Sequence, residues 1–121
     1  MKLIRNCAEA LRKYHENLRR KIYEYNDRIR STGYYLKPIH IVKKHLGSDT
    51  RTYYYFGRYW YKLIKTGSRI KWIYIGKEKP DPKLPEPPIN ILEQCRVVVV
   101  GRDVYVDDTC YDAVLEICRS T

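Results

Sequence analysis

The stretch YYYFGRYWYKLIKTGSRIKWIYIGK, residues 53–77, holds nine aromatic residues and six Lys or Arg, with no acid among them. Aromatic and β-branched residues fit the half-buried, pleated surface of a strand. The stretch therefore reads, with its flanks, as three strands: Thr52–Phe56, Tyr59–Lys65 and Arg69–Ile75. Gly57-Arg58 and Thr66-Gly67-Ser68 supply the turn residues. A two-residue turn, at Thr66-Gly67 or Gly67-Ser68, sorts the second and third strands cleanly. One face collects Tyr59, Tyr61, Leu63, Ile70, Trp72 and Tyr74; the other collects Trp60, Lys62, Ile64, Arg69, Lys71, Ile73 and Ile75. A three-residue loop would reverse the parity of the last strand and scatter the lysines. The tyrosine-rich face is expected to be core, and the lysine-bearing face a basic, partly aromatic platform.

The chain has 121 residues, 44% of them hydrophobic, and a net charge of +10. That suits one domain, or one domain with a small appendage. The charge is unevenly placed: residues 33–77 carry ten Lys/Arg against one acid, whereas residues 88–121 carry three against six. A polyanion would sit on the middle block. No run approaches the roughly 18–20 apolar residues of a membrane span, and the charged N-terminus lacks a secretion signal. A soluble, cytoplasmic protein with no membrane partner is expected, or one in host cytoplasm or a virion if the source is viral.

Upstream, Lys2 to about Ser31 contains neither Gly nor Pro. Its apolar residues Ile4, Cys7, Leu11, Tyr14, Leu18, Ile22, Tyr25 and Ile29 recur every three or four positions. This predicts one long amphipathic helix over 1–32, about 45 Å of rod, closed near Gly33. The stripe packs within the chain or forms a dimer seam, with Ile4, Leu11, Leu18, Ile22 and Ile29 as self-association residues. Arg12, Arg19, Arg20 and Lys21 lie off it as a basic, solvated face. Pro38 to Leu46 reads as a short helix ended by Gly47.

Downstream, KEKPDPKLPEPP has five prolines in twelve residues, an extended linker or strap over 78–89. Residues 90–121 read as a β-hairpin followed by a helix capped by Asp107, Asp108 or Thr109 and buried along Cys110, Ala113, Val114, Ile117 and Cys118. The fold class is thus α+β: a long helix, a short helix, a three-stranded antiparallel sheet (33–77), a proline strap and a hairpin–helix.

Cys7, Cys95, Cys110 and Cys118 include no CxxC pair, and His15, His40 and His45 add no second half to a zinc site. Cys110 and Cys118 are about 12 Å apart along a helix, too far to bond each other. Buried free thiols are expected, with one disulfide through Cys95 as the alternative. The Tyr, Lys, Arg and Ile content, with one Met and one Gln, fits a hyperthermophilic source.

The 53–77 stretch resembles the strand–turn–strand pattern ending in YIGK or YLGK of many small archaeal proteins. It is similar, too, to the three-stranded arm-binding domain of tyrosine recombinases. The resemblance covers about 25 residues and implies a sheet set into a DNA major groove. It does not extend to a recombinase catalytic domain.

A small nucleic-acid-binding protein, DNA favoured over RNA and self-associating through its N-terminal helix, is the expected function. Lys62, Arg69 and Lys71 would neutralise phosphates, or else are simply solvated strand residues. Arg58 would reach a guanine edge or a phosphate, Trp60 would stack on a base, and Lys43, Lys44 and Arg51 would extend the basic surface. No phosphate loop, Gly-x-Ser-x-Gly turn or His-Glu-x-x-His helix is present, so no catalytic residue, metal or cofactor is expected. The rival readings are a structural or assembly protein, such as a virion component, and an RNA-scaffold protein of the ribosome-associated kind.

Overall fold

The architecture is organised by one 18-residue strand. In the computed structural model, which describes residues 1–120, the elements are β1 (Lys2–Ile4), α1 (Ala8–Arg28), a 3-10 turn (Arg30–Thr32), β2 (Tyr34–Leu46), β3 (Asp49–Thr66), β4 (Arg69–Gly76), β5 (Arg96–Val100), β6 (Asp103–Val106) and α2 (Tyr111–Arg119). All pairings are antiparallel, in the order β1-β6-β5-β3-β2, with β4 also on β3. Because β2 occupies one edge of β3, β5 and β4 share the other: β5 pairs residues 51–55 and β4 pairs residues 60–66. The protein is α+β, as its sequence implies.

Several boundaries differ from the sequence reading, each for a physical reason. The first helix starts at Ala8, because Asn6 adopts φ 57° and turns the chain out of β1. Asn is among the few residues that tolerate this left-handed region. Asn6 N donates to Asp103 Oδ1 at 3.0 Å and Ala8 N to Arg102 O at 3.1 Å, so the β5–β6 turn takes up donors at the helix start. At the other end Gly33, at φ 79°, closes the helical segment in the left-handed conformation.

Residues 38–46 are strand, not helix. Pro38 is tolerated because β2 is an edge strand and because Pro38 stands opposite an irregularity: Lys37 pairs Tyr59 while Ile39 pairs Phe56. Gly57-Arg58 is therefore a bulge inside a continuous β3, not a turn between two strands. The other turn is the two-residue Gly67-Ser68, since Thr66 pairs Arg69 and Gly67 has φ 62°.

One core runs through all the segments. Leu11, Tyr25, Leu36, Phe56, Trp60, Leu92, Val97, Val104, Val106 and Val114 are fully buried and belong to a single cluster, joined by Leu84. The stripe proposed for self-association is part of it: Ile4, Leu11, Leu18, Ile22 and Ile29 are 0–7% exposed within the chain. That apolar face is spent on the sheet, so no dimer seam remains along it.

The proline segment is a strap on α1, with Leu84 and Pro87 buried. Tyr25 OH donates to Pro85 O at 2.6 Å, and Tyr14 OH donates to Asn90 Oδ1 at 2.5 Å while accepting from Ile91 N at 3.1 Å. The cysteines are paired, not free: Cys7 with Cys118 and Cys95 with Cys110. The first bridge ties the start of α1 to the end of α2, and the second ties the approach to β5 to the start of α2. No helix among the described residues is long and apolar enough to cross a membrane.

Candidate nucleic-acid interface

The sheet has one face under α1 and α2 and one face that no helix among the described residues covers. Tyr54, Phe56 and Trp60 of β3, Leu36 and Ile39 of β2, and Val97 and Val99 of β5 point into the core with α1, α2 and Leu84 and Leu92 of the segment before β5. Alternation then sends the residues between them to the opposite face. The period-two sorting of the β3–β4 hairpin holds, for Tyr61 pairs Tyr74, Leu63 pairs Trp72 and Ile64 pairs Lys71. What reverses is the cover. The tyrosine-rich side is the helix-free face, and the side that begins with Trp60 starts inside the core.

Cross-strand rows on the helix-free face can be read from the register. From one end they run Lys44–Arg51–Val100–Asp103, Val42–Tyr53–Val98–Tyr105–Leu3, then His40–Tyr55–Arg96. Beyond the bulge follow Lys37–Tyr59, Tyr35–Tyr61–Tyr74 and Leu63–Trp72. The rings touch in two groups. Tyr53 and Tyr55 are near parallel at 6.4 Å between centroids. Tyr35, Trp72, Tyr61, Tyr74 and Tyr59 form a chain of contacts at 4.8–6.5 Å. Trp72 and Tyr74 nonetheless remain half exposed, at 51% and 50%. Gly57 makes room for this chain: a Cβ there would lie 3.3 Å from the Tyr59 ring. Burial, then the neighbouring tyrosines 74, 61 and 55, raise the Tyr59 hydroxyl above its ordinary pKa, so it stays neutral.

Charge on this face is mainly basic, with Lys37, Lys44, Arg51 and Arg96 outnumbering Asp49 and Asp103. Lys44 and Arg51 stand directly opposite each other, a like-charge pair that costs stability in an isolated sheet. Lys44 Nζ is 5.0 Å from the Tyr53 ring centroid. A hollow of about 700 Å3 is lined here by Lys44, Asp49, Arg51, Tyr53, Tyr55, Arg96 and Tyr105. A second hollow, about 680 Å3, opens where β3 changes partner from β5 to β4; Arg58, Lys77, Lys79 and Arg96 line it with Glu78 and Glu93. Of 24 Lys/Arg, four are in ion pairs among the described residues: Arg12, Arg30, Arg58 and Lys79.

The residues singled out from sequence divide accordingly. Trp60 is completely buried, edge-on to Tyr25 at 6.2 Å, and cannot stack on a base. Its Nε1 has no hydrogen-bond partner among the described residues. Arg58 lies at the bulge, its Nε 3.1 Å from Glu93 Oε1. Lys44 and Arg51 are on the helix-free face. Lys43, Lys62, Arg69 and Lys71 lie on the opposite side, where it extends past the core; Lys62 Nζ sits 4.5 Å from the Tyr34 ring centroid.

Tyr53, Tyr55, Tyr59, Tyr61, Trp72, Tyr74, Lys37, His40 and Arg96 were not singled out as surface. Reading 34–46 as a strand would have set Lys44 opposite Arg51, but alternation alone puts Lys37 and Lys44 on opposite faces, and the irregularity at Pro38 is what brings both to one. No family model matches the chain, and comparisons with curated proteins and with solved structures gave no match.

Proposed function

We propose that this protein binds nucleic acid on the helix-free face of its sheet and is a binding protein without catalytic activity. The opposed pair Lys44 and Arg51, beside Arg96 and a row of tyrosines, carries the reading: those charges repel one another until a polyanion lies across them. Lys44, Arg51, Arg96 and Lys37 neutralise phosphates, and the rings take sugar or base surface. Lys62, Arg69 and Lys71, on the projecting hairpin, reach a flanking phosphate. DNA remains the polymer first suggested by the sequence.

The test is binding of purified protein to labelled DNA and RNA across a salt series, with two triple variants. Changing Lys44, Arg51 and Arg96 to Ala should weaken binding to every sequence and reduce the slope of log affinity on log salt by about 0.9 per lost phosphate contact. Changing Lys62, Arg69 and Lys71 should cost less. Binding that neither triple alters would overturn the reading.

An assembly role is favoured by one other observation. β4 pairs only β3, and its Ile70, Trp72, Ile73, Tyr74 and Ile75 are all exposed. A free apolar edge is a template for pairing with another chain. Salt-insensitive oligomerisation, abolished by a proline in β4, would support that role instead.

A further inference from the structure

We infer that the polymer is single-stranded, with its bases stacked on Trp72 and Tyr74 and its phosphates carried toward the hollow at the bulge. This rests on the nucleic-acid reading and narrows it. A duplex keeps its bases stacked on each other and offers the protein phosphates and groove edges. Half-exposed rings on an open sheet face gain little from that surface. Unpaired bases have free π-faces, and stacking on an aromatic side chain tolerates any sequence.

The placement fits both requirements of a single strand. Trp72 and Tyr74 lie on the edge strand β4, with Tyr61 between them at 6.0 and 5.5 Å, so neighbouring ring surfaces belong to one platform. Tyr74 touches Tyr59 at 6.5 Å, and Tyr59 lines the hollow at the bulge. There Arg58 and Lys79 are already held, by Glu93 and by Glu86, whereas Lys77 and Arg96 are in no ion pair among the described residues. Bases on the rings and phosphates on Lys77 and Arg96 complement this surface in both shape and charge.

The chain has two tryptophans, Trp60 enclosed and Trp72 half exposed, so emission quenched by a ligand reports Trp72. A mixed-sequence oligonucleotide, as DNA and as RNA, is titrated beside its annealed duplex and an abasic sugar–phosphate chain of equal length. At one salt concentration, DNA or RNA single strands should bind at least about tenfold tighter than duplex or abasic chain, with quenching. The DNA and RNA arms show which backbone is preferred.

Trp72→Ala and Tyr74→Ala should each weaken single-strand binding roughly 5- to 150-fold and leave duplex binding within about twofold. Trp72→Phe, which keeps a ring, should retain most of the affinity. Lys77→Ala with Arg96→Ala should flatten the salt dependence. Duplex or abasic chain binding as tightly as single strand overturns this inference and leaves the broader reading intact. Absence of salt-dependent binding to every polymer removes both.

Discussion

The side chain of Asn26 is hydrogen-bonded twice to the main chain of Leu36: its Nδ2 donates to Leu36 O and its Oδ1 accepts from Leu36 N, both at 2.9 Å. Leu36 lies in β2, which has a neighbour on one side only. The carboxamide thus supplies the donor and the acceptor that another strand would have offered. It brings the last turns of α1 alongside the sheet edge and blunts that edge against pairing.

Asn26 is 8% exposed, so losing either bond leaves a buried peptide group unsatisfied. Asn26→Ala should cost about 1–3 kcal/mol per group stranded, read as a lower denaturant midpoint. Asn26→Asp keeps the acceptor but sets a carboxylate against the Leu36 carbonyl, and should be worse at neutral pH than in mild acid. Equal midpoints for wild type and both variants would show that water satisfies Leu36.

His15 gives a pH dependence. Burial, then the charge of Arg19, lower its pKa, with Glu16 opposing; its ring lies 5.8 Å from that of Tyr54. In the unfolded chain His15 titrates near its ordinary 6.5. Above that pH both states are neutral and its contribution is complete. As pH falls below 6.5 the unfolded chain takes up the proton first, and stability declines until the folded pKa is passed. Urea midpoints measured from pH 8 to pH 5 should fall on the acid side, and His15→Phe should flatten that decline.

The two tryptophans should behave oppositely toward stability. Trp60→Ala empties the centre of the core and should cost about 3–5 kcal/mol. Trp72→Ala changes an exposed site and should stay within about 0.5 kcal/mol. Thermal denaturation of the two variants checks this. A large loss at Trp72 would mean that its ring contacts with Tyr35 and Tyr61 hold the hairpin.

The disulfides close loops of very different length, with separations of 111 and 15 residues. Loop-closure entropy predicts a loss of about 5 kcal/mol for the Cys7/Cys118 double alanine and about 3 kcal/mol for Cys95/Cys110. Guanidinium unfolding of each variant without reductant would rank them. The reverse order would place the dominant constraint at the entry to α2.

Local chemistry made much of this fold legible. The α1 stripe, the Gly67 turn, the parity of the β3–β4 hairpin and the apolar face of α2 each depend on neighbours a few residues away. The errors share another cause. Pro38 reads as a helix start unless the bulge at Gly57-Arg58, on a different strand, is known. Nothing within residues 53–77 says which side α1 will cover, because that choice is made by Leu11, Ile22 and Tyr25 far upstream. The cysteine pairs likewise join residues that only the finished topology brings together. Lys44 and Arg51 were found as part of a charge block; the aromatic platform was inverted because alternation fixes membership of a face and not its partner.

The Cys7–Cys118 bridge also decides how the molecule would answer a mechanical pull on its two ends. Those cysteines stand 5.3 Å apart between Cα atoms. Tension applied on either side of the bridge would first peel β1, whose three residues pair with β6. It would then run from Cys7 to Cys118 through the sulfur–sulfur link, leaving the core between them unloaded. Only a reductant would let the force reach the strands beyond β1.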